Sequence, residues 1–272
     1  MPQQSAFDAA TAVHPGADGV ATAVLDPGWD VGGGVLNGGY LLSVAARAAL
    51  LASPHPHPVA LSASYLRAAA AGPATLTATP GPAGRTLAHT AVLLADATGP
   101  ALSVQVTTAT LGADAPEVAL PVPAGVTPVE GCLSIAGHAH LAPPGVTVPG
   151  LTRQVETRLD PLTAGWVLGT PGEEPVLRAW VRFADEREPD PLALVTFADA
   201  LPPTSWALGR FGWAPTVQLQ VLVRALPAPG WCLVEARAGE IAGGWLDEDY
   251  RIWDSTGRLV AQSRQLARAP RG

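Results

Sequence analysis

The stretch DATGPALSVQVT, at Asp96–Thr107, returns in altered form as DSTGRLVAQSRQ at Asp254–Gln265. The two aspartates lie 254 − 96 = 158 positions apart. In each stretch an Asp-x-Thr-Gly turn signal leads into a run rich in apolar residues, which is typical of a hairpin turn entering a β-strand. A duplicated unit would repeat this spacing elsewhere in the chain.

A second pair of segments has nearly the same spacing. SYLRAAAAGPATL begins at Ser64 and VLVRALPAPGWCL begins at Val221. Their arginines, Arg67 and Arg224, are 157 positions apart, and two hairpin-like segments follow each of them. Three landmarks in one order at one offset predict two tandem copies of a single unit.

Each copy also has one helix predicted upstream of these strands. Asn37 can cap a helix that runs to Ser53. Its apolar stripe consists of Tyr40, Leu41, Val44, Leu50 and Leu51. In the second copy, Asp190 is the expected cap of DPLALVTFADAL, with Pro191 at the first helical position. Each copy is therefore predicted as a leading strand or two, a helix, and three or four antiparallel strands.

Composition limits the class of protein. The 272 residues are 48% hydrophobic and 14% charged, so disorder over most of the chain is not expected. The net charge of −7 argues against nucleic acid or anionic lipid as the main partner. We find no signal-peptide pattern and no 18-residue apolar run, and the two isolated cysteines fit a reducing cytoplasm. The sequence thus predicts a cytoplasmic protein.

The Pro, Gly and Ala content divides the chain. We predict an N-terminal unit at 1–111, a linker at 112–149 that crosses one face of the protein, and a C-terminal unit at 150–272.

A central helix wrapped by an antiparallel sheet, written twice, resembles the double hotdog fold, an α+β architecture. Within that fold the chain resembles the acyl-CoA thioesterase II-like family. The order and spacing of four segments carry the resemblance, and nearly the whole chain outside the linker is covered. They are NGGYLL at Asn37–Leu42, FADALPP at Phe197–Pro203, PTVQLQVLVRA at Pro215–Ala225 and DSTGRLVAQSRQ at Asp254–Gln265.

Three polar residues stand in apolar surroundings. Asp199, inside the predicted second helix, must be paired, hydrated or functional if it faces inward; the alternative is a solvent-facing carboxylate. Thr216 opens a strand, where threonine is common. Gln265 shares one strand face with small residues and should point inward, but alignment with the first copy at offset 158 gives the opposite parity.

The resemblance assigns roles to this trio. Thioesterase II-like enzymes hold the attacking water with an Asp, a Thr and a Gln of the second unit, which implies these roles for Asp199, Thr216 and Gln265. It also implies an acyl-CoA substrate, and hydrolysis of this kind needs no metal or bound cofactor. The CoA phosphates would lie near arginines, for which Arg67 and Arg224 are candidates.

The glycines around the first helix suggest a further role. Backbone N–H groups at a helix N-terminus attract negative charge, so we predict Gly38 and Gly39 as oxyanion donors that face Asp199 across the interface between the copies. The alternative is a glycine-rich loop needed only for close packing. The GxGxxG spacing of a dinucleotide site is absent.

Other features of the sequence disfavour a metal site and an α/β-hydrolase fold. The pairs His55/His57 and His138/His140 lack further ligands, so surface histidines are favoured over a metal site. The absence of GxSxG argues against an α/β-hydrolase thioesterase. Three tryptophans line either an acyl channel or the core: Trp206, Trp213 and Trp231.

Two other functions compete with thioester hydrolysis. A hotdog hydratase or dehydratase brings an Asp and a His into one site, but all six histidines precede Leu141. A double hotdog protein could also bind acyl-CoA or a partner protein without turnover. A chain with both copies could be a monomer or could assemble further into a homo-oligomer.

Overall fold

The computed structural model describes residues 4–16, 19–138 and 148–270. Within these ranges one antiparallel sheet of 13 strands surrounds two central helices. The helices are α1 (Ala6–Ala10), α2 (Gly38–Leu51), α3 (Leu151–Gln154) and α4 (Pro191–Phe197). None of them is long and apolar enough to cross a membrane.

The strands follow the predicted order around the two main helices. The first seven are β1 (His14–Pro15), β2 (Val20–Leu25), β3 (His57–Tyr65), β4 (Gly72–Ala83), β5 (Leu87–Asp96), β6 (Gly99–Ala109) and β7 (Leu133–Ser134). The other six are β8 (Val155–Leu159), β9 (Val176–Phe183), β10 (Thr216–Val223), β11 (Cys232–Ala242), β12 (Trp245–Trp253) and β13 (Leu259–Arg268).

The strand order shows the duplication. It reads β1-β2-β4-β5-β6-β3-β10-β13-β12-β11-β9-β8-β7. The run β2-β4-β5-β6-β3 is repeated in reverse as β10-β13-β12-β11-β9, and the two runs join where β3 pairs with β10. We call β2 to β6 with α2 the N-terminal copy, and β8 to β13 with α4 the C-terminal copy. The predicted α+β duplication is confirmed.

The two Asp-x-Thr-Gly turns make equivalent hydrogen bonds in the two copies. Oδ1 of Asp96 and of Asp254 accepts a hydrogen bond from the amide two residues later, at 2.8 and 3.0 Å. Oδ2 accepts from the amide of Ala70 at 2.7 Å in the first case and from that of Ala228 at 3.0 Å in the second. Each turn is therefore tied to the segment that follows β3 or β10, and the 158-residue offset reflects this shared anchoring.

The helices begin where the sequence predicts but differ in extent. Asn37 caps α2 and Asp190 caps α4. Rather than a stripe, α2 buries nearly its whole circumference, and Leu51, predicted as part of the stripe, is 55% exposed at the end of the helix. The reason is that the sheet and α4 together surround α2, so nearly every face of the helix meets protein.

Asp199 lies outside the second helix, which corrects the prediction. The last residue of α4 is Phe197, and the amide of Asp199 turns back to the carbonyl of Thr196 at 3.1 Å. Pro202 disfavours helical geometry only at Leu201, so the earlier end of α4 at Phe197 reflects the hydrogen bonds that hold Asp199 against the start of α2. Asp199 therefore lies in the turn after α4, and its side chain does not point where it would point on a continuing helix.

The two helices pack directly against each other in one shared core. The hydroxyls of Ser43 on α2 and Thr196 on α4 lie 2.8 Å apart. A cluster of aromatic rings extends the contact, with Phe7 of α1 stacked on Phe183 at 4.5 Å and Phe183 against Phe197 at 5.0 Å. Elements from both copies thus support one core.

One extra residue in the second hairpin explains the conflict of parity on the last strand. Val92 pairs with Val104, whereas Tyr250 pairs with Ser263. The offsets are 250 − 92 = 158 and 263 − 104 = 159, so β13 is shifted by one residue relative to β6. Gln265 therefore corresponds to an inward valine, and its exposed fraction is 6%.

The described part of the segment predicted as a linker, at 112–138 and 148–149, contacts the C-terminal copy. Trp253 Nε1 donates to the carbonyl of Leu120 at 3.1 Å, and Trp180 Nε1 donates to that of Thr127 at 2.9 Å. The segment then adds β7 to the sheet edge beside β8. The limits drawn at 111 and 150 stay a prediction.

Candidate active site

Asp199 is held at the interface between the two copies by the start of α2. Its Oδ2 accepts from the amide of Gly39 at 2.8 Å and from Asn37 Nδ2 at 3.3 Å. The same Nδ2 donates to the carbonyl of Asp199 at 2.8 Å, while Asn37 Oδ1 caps the helix at the amide of Tyr40. Gly39 and Asn37 both donate to Oδ2, which favours Oδ1 as the oxygen that takes a proton, and the Gly38 amide also lowers the pKa of this carboxyl.

The two glycines permit this close approach. A Cβ at Gly39 would stand 2.8 Å from the carbonyl oxygen of Thr196, and one at Gly38 would stand 2.8 Å from Asp199 Oδ2. Gly38 and Gly39 face Asp199 as predicted, but the Gly39 N–H is already bonded to the carboxylate. In this arrangement it holds the Asp and is not free to serve as an oxyanion donor.

Thr216, Gln265 and a buried carboxylate form a chain of hydrogen bonds on neighbouring strands. Thr216 Oγ1 donates to Gln265 Oε1 at 3.1 Å. Gln265 Nε2 donates to Oε2 of Glu248. The other oxygen, Oε1 of Glu248, accepts from the amide of Thr204 at 2.6 Å. The chain gives Gln265 one orientation and directs the Thr216 proton away from any group that approaches it.

All three members of the trio line one cavity. Its volume is about 560 Å³, and its walls include Gly38, Asp199, Thr216 and Gln265. A smaller cavity of about 150 Å³ adjoins it and is lined mostly by apolar side chains. The two cavities share five lining residues: Val31, Asp199, Leu201, Pro203 and Trp206. Asp199 thus lies between a large cavity with mixed polar and apolar walls and a small apolar pocket.

Burial brings the pKa of the Asp199 carboxyl close to neutral pH. Removal from water raises its pKa to about 7; the amide of Gly39 opposes this, and the charge of Glu248 adds to it. Tyr65 and Tyr250 also border the cavity, and burial raises the pKa of both phenols above their usual value. A carboxylate with a pKa near 7 can exchange a proton with water at ordinary pH.

Comparison with known proteins identifies the family. The acyl-CoA thioesterase N-terminal domain matches residues 25–111, and the acyl-CoA thioesterase C-terminal domain matches residues 130–269. The chain belongs to the acyl-CoA thioesterase family.

Individual relatives of this family member agree. It is 33% identical to an uncharacterized protein of Mycobacterium tuberculosis, over 90% of this chain and 89% of that one. A crystal structure from Thermobifida fusca, provisionally assigned as a thioesterase II, superposes with a TM-score of 0.88 at 34% identity over the whole of both chains. A hotdog-fold protein of unknown function from Alicyclobacillus acidocaldarius gives 0.83 at 20% identity, covering 99% of this chain and 100% of that one. The double hotdog fold is confirmed.

Sequence reasoning missed several residues of the candidate site. Asn37 was identified as a helix cap, but its amide also binds Asp199, a double role that needs both the oxygen and the nitrogen of an asparagine. Glu248 and Tyr250 were overlooked. Alternation along β12 could have revealed Glu248, since it shares the inward face with Leu246, Tyr250 and Ile252.

The other candidate residues differ in whether they line the cavities and in what they contact. Arg67 borders the larger cavity, but its guanidinium pairs with Asp96 and the carbonyl of Gly99. Trp206 lines both cavities, whereas Trp231 packs under Arg182 and lines neither. Trp213 lines the larger cavity and is 58% exposed.

The histidines of the two His-x-His pairs are accounted for differently. His55 Nε2 lies 3.1 Å from the carbonyl of Gly84, and His57 Nδ1 accepts from the amide of Leu111. His138 lines the smaller cavity, and His140 lies outside the described residues. Across residues 4–16, 19–138 and 148–270, no group of three or more His, Cys, Asp or Glu is arranged to hold a metal ion.

Proposed function

We propose that this protein hydrolyses acyl-CoA thioesters to CoA and a carboxylic acid, using a water held by Asp199, Thr216 and Gln265. One observation carries the proposal. Side chains from the turn after α4, from β10 and from β13 converge on one cavity, beside an apolar pocket, with a carboxylate whose pKa is about 7. The family match to acyl-CoA thioesterase domains supports the choice of substrate.

The hydrogen bonds suggest how the water is used. Because Thr216 donates its own proton to Gln265, its oxygen can accept one hydrogen of the water. Asp199 Oδ1 accepts the other hydrogen, and the free lone pair attacks the thioester carbonyl carbon. Asp199 takes a proton as the carbon–oxygen bond forms. It returns that proton to the departing thiolate when the carbon–sulfur bond breaks.

The developing oxyanion needs a donor, and the start of α2 is the proposed source. This helix is 14 residues long, so its N-terminus carries appreciable positive potential. Gly38 lines the cavity and stays the predicted donor. Its N–H lowers the pKa of the Asp199 carboxyl and would be shared between the carboxylate and the oxyanion, whereas the Gly39 N–H is bonded to Oδ2.

Release of CoA tests the proposal directly. Purified protein is mixed with acyl-CoAs of graded chain length and a thiol reagent that reports free CoA. We expect turnover in at least part of the series. Binding without release, across all chain lengths, would favour the alternative of a non-catalytic acyl-CoA-binding protein.

Chain-length preference should follow the small apolar cavity. Each buried methylene contributes about 0.8 kcal/mol, so kcat/KM should rise roughly fourfold per methylene until the 150 Å³ cavity is full. Ala200 lines this cavity and is 8% exposed, so Ala200→Phe should fill it. We expect the variant to hydrolyse acetyl-CoA nearly normally but to lose the gain with chain length.

A matched control for that variant is Ala97→Phe, on an exposed turn that lines neither cavity. It should reproduce the wild-type series. Equal chain-length profiles in wild type and Ala200→Phe would show that the acyl group binds elsewhere.

The rate should depend on pH through Asp199. As a base it must be ionised, so kcat/KM should be constant above its pKa and fall about tenfold per pH unit below about 7. The measurement is a pH profile of kcat/KM between pH 5 and 9. A profile with no acidic limb near neutrality would contradict the assignment of Asp199 as the base.

A further inference from the structure

Glu248 is a buried carboxylate next to the proposed water site, and it takes no part in the steps described above. Its exposed fraction is 1%. Each of its oxygens accepts a hydrogen bond from an N–H group, Oε2 from Gln265 and Oε1 from Thr204. Acceptance at both oxygens favours the ionised form of this carboxyl, because a protonated one would present a donor at one of them. Burial raises the pKa of Glu248, and the hydrogen bonds from Thr204 and Gln265 oppose that rise.

The N-terminal copy shows which residues fill the position corresponding to Glu248 when only packing is required. Thr90 pairs with Val106 across β5 and β6, just as Glu248 pairs with Gln265 across β12 and β13. The offsets are 248 − 90 = 158 and 265 − 106 = 159, the same as for their strands. A buried Thr–Val pair satisfies the sheet in one copy, with exposed fractions of 1% each. Folding does not require the more costly buried charge in the other copy.

The bond to Glu248 decides which end of the Gln265 amide faces Thr216. The Glu248 carboxylate can only accept hydrogen bonds, so it must face Nε2 of Gln265. The amide oxygen, Oε1, then faces Thr216. With the amide reversed, Gln265 would donate to Thr216, and the hydroxyl proton would then point toward the water. The water would meet a donor where proton removal needs an acceptor.

We propose that Glu248 is a positioning residue of the hydrolytic site, which holds the Gln265 amide in one orientation and thereby makes the Thr216 oxygen the acceptor for the attacking water. The inference rests on the proposed hydrolytic function. It adds a residue that touches neither water nor substrate and acts through Gln265.

The negative charge of Glu248 has a second measurable effect. Among the described residues, the side chains that interact electrostatically with the Asp199 carboxylate are Glu248 and Tyr250 of β12 and Tyr65 of β3. The Asn37 side chain, before α2, donates a hydrogen bond to it. Asp247 and Tyr250 interact electrostatically with Glu248 itself. Glu248 raises the pKa of Asp199, so removing its charge should move the acidic limb of the rate profile to lower pH.

A double-mutant cycle tests the coupling. We compare wild type, Glu248→Gln, Gln265→Val and the double variant on the alkaline plateau of the pH profile. Glu248→Gln alone should lower kcat about 10- to 100-fold, with KM nearly unchanged. In the Gln265→Val background the same change should cost less than about threefold. Thr90→Val, at the matching position of the N-terminal copy, should leave kcat unchanged.

The outcomes separate the inference from the function it rests on. An active wild type in which Glu248→Gln leaves kcat and the acidic limb unaltered, or in which its effect is equal in both backgrounds, overturns the positioning role. If wild type releases no CoA, the proposed function fails. The side-chain amide protons of Gln265, followed by nitrogen-15 NMR, then decide the inference alone: they should be protected from exchange in wild type and unprotected in Glu248→Thr. Equal protection in both would overturn it.

Discussion

Replacing Asp199 with Asn should lower kcat for acyl-CoA hydrolysis by about a thousandfold, the scale of a lost general base. The asparagine oxygen can still accept from Gly39 and Asn37, so the turn after α4 should keep its place. Substrate affinity should therefore stay within about threefold of wild type. The checks are steady-state kinetics and binding of a non-hydrolysable acyl-CoA thioether.

The N-terminal cap of α4 supplies a matched control. Asp190→Asn makes the same chemical change at the cap of α4, where Asn serves as well as Asp. Its pair with Arg187 is partly exposed and contributes little. We expect wild-type kinetics from this variant. A fully active Asp199→Asn, or an equal loss in both variants, would refute the assigned base.

Stability gives an independent view of Asp199. Because its pKa is higher in the folded chain than its ordinary value of 3.8, the folded state binds more protons between about pH 4 and 7, and stability falls as pH rises through that range. Asn does not ionise, so Asp199→Asn should lack this loss and should melt no lower than wild type at pH 8. The site thus keeps a carboxylate at a cost in folding energy.

Gly39→Ala should lower both stability and activity. The new Cβ would lie 2.8 Å from the carbonyl oxygen of Thr196 and 3.0 Å from Cβ of Asp199, so α2 and α4 must move apart. Overpacking of this kind costs about 1–3 kcal/mol, and the gain in helix propensity returns at most about 1 kcal/mol. We expect a loss of about 1–2 kcal/mol, or about 3–6 °C in Tm.

The control for this variant is Gly172→Ala, whose added Cβ would meet nothing closer than the carbonyl oxygen of Ala207 at 3.8 Å. It should melt within about 1 °C of wild type. Activity of Gly39→Ala should fall by more than its stability explains, since the displaced amide no longer holds Asp199. A stable and fully active Gly39→Ala would mean that the helix contact is not needed at the site.

Local rules explain why much of the fold could be predicted. The caps Asn37 and Asp190 and the turns at Asp96 and Asp254 act within a few residues of themselves, so their patterns survive in the sequence. The failures involve positions set by tertiary contacts. The exit of Asp199 from α4 depends on its contacts with the start of α2, and the shift of β13 depends on the one-residue longer turn between β12 and β13.

The two copies contribute different chemistry to one site. The N-terminal copy supplies the glycines and the Asn that hold Asp199, and the C-terminal copy supplies the side chains proposed to hold water. No single copy contains the whole set. The sequence predicts the trio through the family resemblance. The supporting contacts of Asn37, Gly39 and Glu248 join residues up to 162 positions apart, and no sequence pattern indicates them.

A single turnover in water labelled with oxygen-18 tests the central claim most directly. With enzyme in excess over acyl-CoA, mass spectrometry reads the label in the released acid and in the peptide that contains Asp199. If a water held by the trio attacks the thioester, the acid carries one labelled oxygen after the first turnover and the peptide carries none. Unlabelled acid with label in Asp199 would mean that the carboxylate itself attacks, and the account would be wrong.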